Sequence, residues 1–263
     1  MALQTGCHTM VEISENIAIA ETPPGWAYSD ADVFHLEVER IFTQAWLGQS
    51  PRTLIPESVE PFELLPGALD EALLLTVDAE GVQHCLSNVC THRGMKLACD
   101  AASVRRIRCG YHGRRFALDG TLEAAPGFEG AEQFPRPSDN LSSVSLESWG
   151  PVPFVQLKTG RAFSDWTAPL SPLFDFLPLD DLAHDPSATR RFSVRANWKL
   201  YLDNYLEGFH IPTVHKSLAS ALDVGAYRTE MLSGGSLQIG IAAAGTPVLP
   251  LGASHPLSAE SVG

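Results

Sequence analysis

Four residues in the middle of the chain have the types and spacing to hold an iron–sulfur centre. Cys90-Thr91-His92-Arg93-Gly94 offers one thiolate and one imidazole, and Cys109-Gly110-Tyr111-His112-Gly113 offers a second of each, with sixteen residues between His92 and Cys109. Two Cys on one iron and two His on the other make up the protein ligands of a [2Fe-2S] cluster. Neutral imidazoles in place of thiolates remove negative charge and raise the reduction potential. Structural zinc is the competing chemistry for two Cys and two His. Zinc sites of that kind usually pair Cys with Cys and His with His, whereas here each Cys is paired with a His. Gly94, Gly110 and Gly113 suit loops whose backbone must come close to a cluster.

A second group lies downstream, in Asp203-Asn204-Tyr205-Leu206-Glu207-Gly208-Phe209-His210, followed by Pro212 and His215. Asn197 is placed to cap a helix from Trp198 to about Gly208. On that helix positions 203, 207 and 210 would share one face, and Pro212 would turn the chain so that His215 returns toward His210. Two imidazoles and a carboxylate form the facial triad of non-haem Fe(II), which leaves coordination positions open for O2. Taken alone, a helix with two His and several acids reads as solvated polar side chains. The cluster upstream gives the second group its weight.

The elements that position these groups follow from patterning. Residues 1–25 read as a loose lead-in, and Ser29-Asp30-Ala31-Asp32 starts a helix to about Gln44, with Val33, Phe34, Leu36, Val38, Ile41 and Phe42 as its apolar stripe and Trp46 anchoring its exit. From 47 to 158 short apolar runs alternate with turn residues. The strands expected are 62–65, 72–77, 82–89, 104–109 and 152–157, so that both hooks sit where a strand runs into a loop near the surface. Residues 159–188 are rich in Pro, Asp and Ser and read as a crossing between domains. Phe192, Val194 and Ala196 alternate as a strand would, and Phe209 and Tyr227 read as core.

The length of 263 residues allows a hydrophobic core in each of two modest domains. With 31 acidic against 18 basic residues and a formal charge of −13, a nucleic-acid partner is not expected. No apolar run reads as a membrane span, and the first twenty residues lack the basic-then-apolar order of a secretory signal. Cys7, Cys85 and Cys99 are left over from the cluster. An odd, unpatterned remainder points to a reducing, cytoplasmic compartment.

Together these features resemble the large (α) subunit of the Rieske non-haem iron oxygenases, the aromatic ring-hydroxylating dioxygenase family. The resemblance runs over about residues 20–245. It is carried by the lead-in helix to Trp46, the two hooks, Trp149-Gly150, Asn197-Trp198-Lys199 and Asp203 to Glu207. It implies an α+β chain, with an all-β Rieske [2Fe-2S] domain followed by an incomplete helix-grip (START-like) catalytic domain, divided as 1–46, 47–158 and 159–263. Cys90, His92, Cys109 and His112 would bind the cluster. The family's iron motif falls on Glu207, His210 and His215, with the two His as ligands of a mononuclear Fe(II). Glu207 would be an electron bridge, hydrogen-bonding both His210 and a cluster imidazole across the interface, the partner's His112 or the partner's His92, and Asp203 and Asn204 are the further catalytic candidates.

The same resemblance implies electrons from NAD(P)H through a separate reductase, with or without a ferredoxin, a small organic substrate, O2, and a homotrimer. Neither a nucleic acid nor a membrane is an expected partner. Glu within Tyr-Leu-Glu-x-x-His is similar to the branch holding quaternary-amine monooxygenases and several demethylases, whereas ring dioxygenases more usually carry Asp. The reaction implied is hydroxylation or demethylation of an aromatic or quaternary-amine compound. Two departures stand out. Arg114 occupies the position after His-Gly where the family usually has Trp. The third iron ligand, a downstream Asp in the family, has no counterpart: Asp223 and Glu230 are poorly placed and Glu260 lies in a Ser/Ala/Gly/Pro tail. The chain therefore reads as C-terminally truncated, and the alternative functions are a Rieske-type electron carrier or a catalytically incomplete fragment.

Overall fold

The computed structural model describes residues 13–52, 54–248 and 255; Cys7 and Glu260 lie outside them. The chain divides into two compact units, one of His35–Arg161 with Leu179–Ala188 and the other of the remaining described residues.

The first unit is built almost wholly of antiparallel strands. In chain order these are β1 (Leu47–Gly48), β2 (Ser58–Leu64), β3 (Glu71–Val77), β4 (Gln83–Ser87), β5 (Ala102–Ser103), β6 (Ile107–Arg108), β7 (Arg115–Phe116), β8 (Leu122–Ala124), β9 (Ser143–Trp149) and β10 (Val152–Gln156). Seven form one sheet in the order β1-β10-β9-β4-β3-β2-β5, and β6-β7-β8 form a smaller one. The central strand β3 is buried from Leu73 to Val77. It is covered on both faces, which is why it reads in sequence as an unbroken apolar run and not as an alternation.

Because neighbouring side chains on a strand point to opposite faces, β3 feeds two cores. Leu73 and Leu75 pack with Leu64, Cys85 and Val155 on one side. Leu74 packs on the other side with Leu86, its cross-strand partner, and with Phe116, Leu118, Leu122 and Leu141. Cys90 and Cys109 belong to this second core, at 3 % and 2 % exposure. Both hooks leave strands as expected: β4 ends at Ser87, with Asn88 and Val89 between it and Cys90, and β6 runs directly into Cys109. Trp46 does anchor its segment, its Nε1 donating to the Arg161 carbonyl at 2.8 Å.

The lead-in is less regular than its stripe implies. The helices α1 (Trp26–Ser29) and α2 (Ala31–Glu37) are followed by a π-helical turn at Val38–Phe42. Asp30 caps α2, its Oδ1 accepting from the Asp32 N–H at 2.8 Å. The stripe is not buried, and Leu36 and Ile41 are each 44 % exposed.

In the second unit, α3 (Phe163–Thr167) and α4 (Ser171–Phe174) precede α5 (Trp198–Tyr205), α6 (Ile211–Val214) and α7 (Lys216–Ala221). A long hairpin of β11 (Leu222–Leu232) and β12 (Gly235–Ala242) completes it. Two expectations fail here. Residues 191–196 form no strand, and Phe192 is 87 % exposed; alternation makes a strand only where a neighbour supplies the ladder hydrogen bonds. Phe209 is not core but 92 % exposed.

Burial pushes the Cys85 thiol up to about 12, and only the thiolate is a good nucleophile. Iodoacetamide at pH 8 is expected to modify the exposed Cys99 and to spare Cys85 until urea unfolds the chain. Peptide mass mapping reads both, and equal labelling in the folded state would contradict the packing of β3 on β4.

Candidate functional site

The two hooks share one hydrogen-bonded frame. In the first, the Cys90 carbonyl accepts from the Gly94 N–H at 3.0 Å, and the Cys90 N–H donates to the Met95 carbonyl at 2.8 Å. In the second, the Cys109 carbonyl accepts from Gly113 at 3.1 Å, and the Cys109 N–H donates to Arg114 at 2.9 Å. Closing such a loop needs a left-handed residue at the glycine, and Gly94 and Gly113 have φ of 71° and 74°. The His sits two residues after Cys in one frame and three after in the other. This offset brings the two rings together, with centroids 4.6 Å apart and planes at 63°.

Burial divides the four side chains. The thiols face the apolar core, while His92 is half-buried and His112 is exposed. Burial raises the Cys90 thiol. Burial pulls Cys109 the same way, but N–H groups of Tyr111 and His112 outweigh it and hold that thiol below its ordinary range; the Tyr111 N–H lies 3.5 Å from Sγ. Desolvation, then the neighbouring His112, lowers the His92 pKa. Its Nδ1 is buried with no hydrogen-bond partner among the described residues. A neutral imidazole with an unused buried lone pair, two convergent thiols and a second imidazole fit a [2Fe-2S] cluster bound through two Cys and two His. Cys90 and Cys109 would hold one iron of such a cluster and His92 and His112 the other, two protein atoms to each.

Asn88 holds the first hook in place. It is fully buried, its Oδ1 accepts from Leu97 N–H at 3.2 Å and Ala98 N–H at 2.9 Å, and its Nδ2 donates to the Ala98 carbonyl at 2.8 Å. Sequence spacing gives no sign of this role, because its partners lie nine and ten residues on.

In the second unit Asn197 caps α5 as expected, accepting from the Lys199 N–H at 3.0 Å, but the helix stops at Tyr205. Positions 203, 207 and 210 therefore do not share a helical face: Asp203 is on α5, and Glu207 lies in the turn before α6. Asp203 accepts from the Tyr28 hydroxyl at 2.7 Å, which raises the Tyr28 pKa, while Asn204 lines a cavity of about 360 Å³ with Glu207, His210, His215, Tyr227 and Gln238. Tyr227 packs closely on this segment, so that a Cβ on Gly208 would lie 2.5 Å from Tyr227 Cε1.

His210 precedes α6 and His215 follows it. Their rings stand 5.1 Å apart at 70°, as the turn at Pro212 implies. Glu207 pairs with His210 Nδ1 and also accepts the Phe209 N–H, and the contact with His210 lowers the Glu207 pKa. With Nδ1 engaged by the carboxylate, Nε2 keeps its lone pair for a metal. Asp223 accepts from the Gly225 N–H at 3.1 Å and Glu230 pairs with Arg228 at 2.9 Å. Among the described residues no group of three His, Cys, Asp or Glu gathers at one metal position.

Residues 62–135 match the Rieske [2Fe-2S] domain, and residues 179–238 match the catalytic domain of the ring hydroxylating alpha subunit. The chain belongs to the Rieske oxygenase α-subunit family. This Rieske oxygenase chain is 32 % identical over 220 residues to choline monooxygenase of Amaranthus tricolor, covering 80 % of this chain and 48 % of that protein. It is 27 % identical over 228 residues to the carnitine monooxygenase oxygenase subunit of Escherichia coli, covering 85 % and 60 %. A crystal structure of a quaternary ammonium Rieske monooxygenase in complex with an inhibitor superposes with a TM-score of 0.73 at 25 % identity, over 86 % of this chain and 62 % of that one. The chain spans about half the length of the curated relatives it matches. Its family is one of [2Fe-2S] clusters and mononuclear iron, and the two groups of residues described above are where this chain would hold them.

Replacing Asn88 by Leu would take the side-chain partner from the Ala98 N–H and carbonyl, each costing about 1–3 kcal/mol, while the Leu97 N–H keeps the backbone carbonyl of residue 88. Urea unfolding of Asn88→Leu should show a loss of at least about 2 kcal/mol; a loss under 0.5 would remove Asn88 from its role as the hook's support.

Proposed function

We propose that the chain is the cluster-bearing part, with the first iron ligands, of an oxygenase that uses O2 to hydroxylate or demethylate a small organic substrate. The observation that carries this is the occurrence in one chain of both donor sets: the convergent hooks, and a His210–His215 pair already oriented by a carboxylate. When bound, the cluster supplies electrons one at a time and the mononuclear iron supplies the place where O2 is activated.

The residues have separable tasks in this reading. Cys90 and Cys109 bind from the buried side, and His92 and His112 bind from the surface side. Glu207 fixes the tautomer of His210 and is taken as the electron bridge, with the partner's His112 as its second contact in a homotrimer; the exposure of His112 leaves it available for that contact. Asn204 faces the same cavity, whereas Asp203 is engaged by Tyr28 and would act only by holding α5. The likeness to choline and carnitine monooxygenases supports a quaternary-amine substrate and monooxygenation, with aromatic compounds as the alternative class.

The reading also includes electrons from NAD(P)H through a reductase, with or without a ferredoxin, and a cytoplasmic setting. Among the described residues no helix is long and apolar enough to cross a membrane. The domain division is taken as 47–158 for the cluster and 159–263 for the partial catalytic domain, in line with the two matched ranges.

A second reading, a Rieske-type electron carrier, is favoured by one observation: no described carboxylate joins His210 and His215 at a metal position. Iron counting separates the two. After anaerobic reconstitution the oxygenase reading expects about three irons per chain, two in the cluster and one mononuclear, and a persistent count of two would favour the carrier. A colourless protein binding zinc alone would refute both.

Within the oxygenase reading, Glu207→Ala is expected to keep both metals and lower turnover roughly 10–100-fold. Turnover equal to wild type would end the bridge assignment.

A further inference from the structure

Behind the hooks lies a buried ion pair that the proposed function does not use. Arg114 is 4 % exposed and Asp139 7 %. The backbone of Arg114 closes the second hook, since its carbonyl accepts the Cys109 N–H. Its side chain crosses to the first hook, where Nη1 donates to Thr91 Oγ1 at 3.0 Å. Thr91 stands between Cys90 and His92, and its hydroxyl in turn donates to the Asp139 carbonyl at 2.7 Å. The Asp139 carboxylate is 3.6 Å from Nη1, and the rings of Phe128 and Phe134 lie 5.3 and 5.5 Å from the guanidinium carbon.

This arrangement is poor as a device for stability. The ion pair is long, and Arg114 Nε is buried without a partner among the described residues. Buried charges held this loosely do not offset the cost of removing them from water. What Arg114 does reach is both hooks at once: its carbonyl accepts the Cys109 N–H, and its guanidinium holds Thr91 between Cys90 and His92.

We infer that Arg114 is a positioning residue for the [2Fe-2S] centre that also sets its reduction potential, by fastening the first hook to the second and placing a permanent positive charge behind the thiolates. The inference rests on the cluster assignment. Adding one electron to the cluster adds one negative charge, which a nearby cation in a low-dielectric surrounding favours. Asp139 opposes it with a negative charge in the same region, and Arg136, whose Nε is 3.5 Å from the other Asp139 oxygen, is exposed and screened. Arg114 therefore raises the potential, and Asp139 partly offsets the rise.

The test is a spectroelectrochemical titration of the full chain, with three variants beside wild type. Arg114→Met removes the charge and keeps the length, and is expected to lower the reduced-to-oxidised ratio at fixed potential about tenfold, which is about 59 mV for one electron. Arg114→Lys keeps the charge and should stay near wild type. Asp139→Asn removes the opposing charge, keeps the carbonyl used by Thr91, and should shift the ratio the other way.

A structural role alone would move Arg114→Met and Asp139→Asn in the same direction, and that result overturns the inference, as does an unshifted Arg114→Met. If Arg114→Met fails to hold a cluster, a lowered Arg114→Lys potential or an unraised Asp139→Asn potential overturns it, and the opposite pair sustains it. A wild-type chain without the visible absorption of a cluster refutes the cluster assignment itself, before any variant is compared.

Discussion

Everything in the cluster unit depends on closing two loops so that sulfur points into a core and imidazole points out. Each closure is made by one backbone hydrogen bond to a left-handed glycine and one bond returning to the cysteine N–H. The frames are the same, yet the His stands one position later in the second, and this single-residue offset lets two rings meet that would otherwise be stacked on separate loops. The β-sheets matter chiefly because they hold the two frames in register. Leu74, Leu86 and Phe116 fill the space directly behind the cysteines, and Asn88 satisfies the backbone groups that the first loop leaves inside.

The two metal-binding groups are supported in different ways. The hooks are set in a dense core, and their thiols are shaped by burial and by N–H groups aimed at sulfur. The His210–His215 pair is held by a short helix between its members, by a carboxylate on one ring and by the pressure of Tyr227 on Gly208. One arrangement is rigid through packing and the other through local hydrogen bonds. In the proposed oxygenase, that difference would suit a centre that changes only its charge beside one that must admit O2 and substrate.

Much of this was legible in the residues. Metal chemistry fixes which side chains can serve and how far apart they stand, so Cys90, His92, Cys109, His112, His210 and His215 could be picked out with no structure. The cap at Asn197 and the buried strand β3 were equally plain, because local hydrogen bonding and continuous apolarity are written in short windows. What could not be read depends on distant partners. Residues 191–196 alternate but find no neighbouring strand, whereas β9, polar on its outer side, forms because β4 and β10 accept it. The helix from Trp198 stops at Tyr205, and the close approach of Tyr227 to Gly208 beyond it is invisible in a helical wheel. Thr91, Arg114 and Asp139 are separated by 23 and 48 positions, so no spacing rule joins them.

The unequal exposure of the four ligands makes the centre a terminal insulated on one face. Both sulfurs are sealed behind aliphatic and aromatic side chains, while His112 and the Tyr111 ring, tilted 36° to it with centroids 3.9 Å apart, stand at the surface. In the oxygenase reading, electrons would reach the proposed iron from the imidazole side of the cluster, where His112 is exposed.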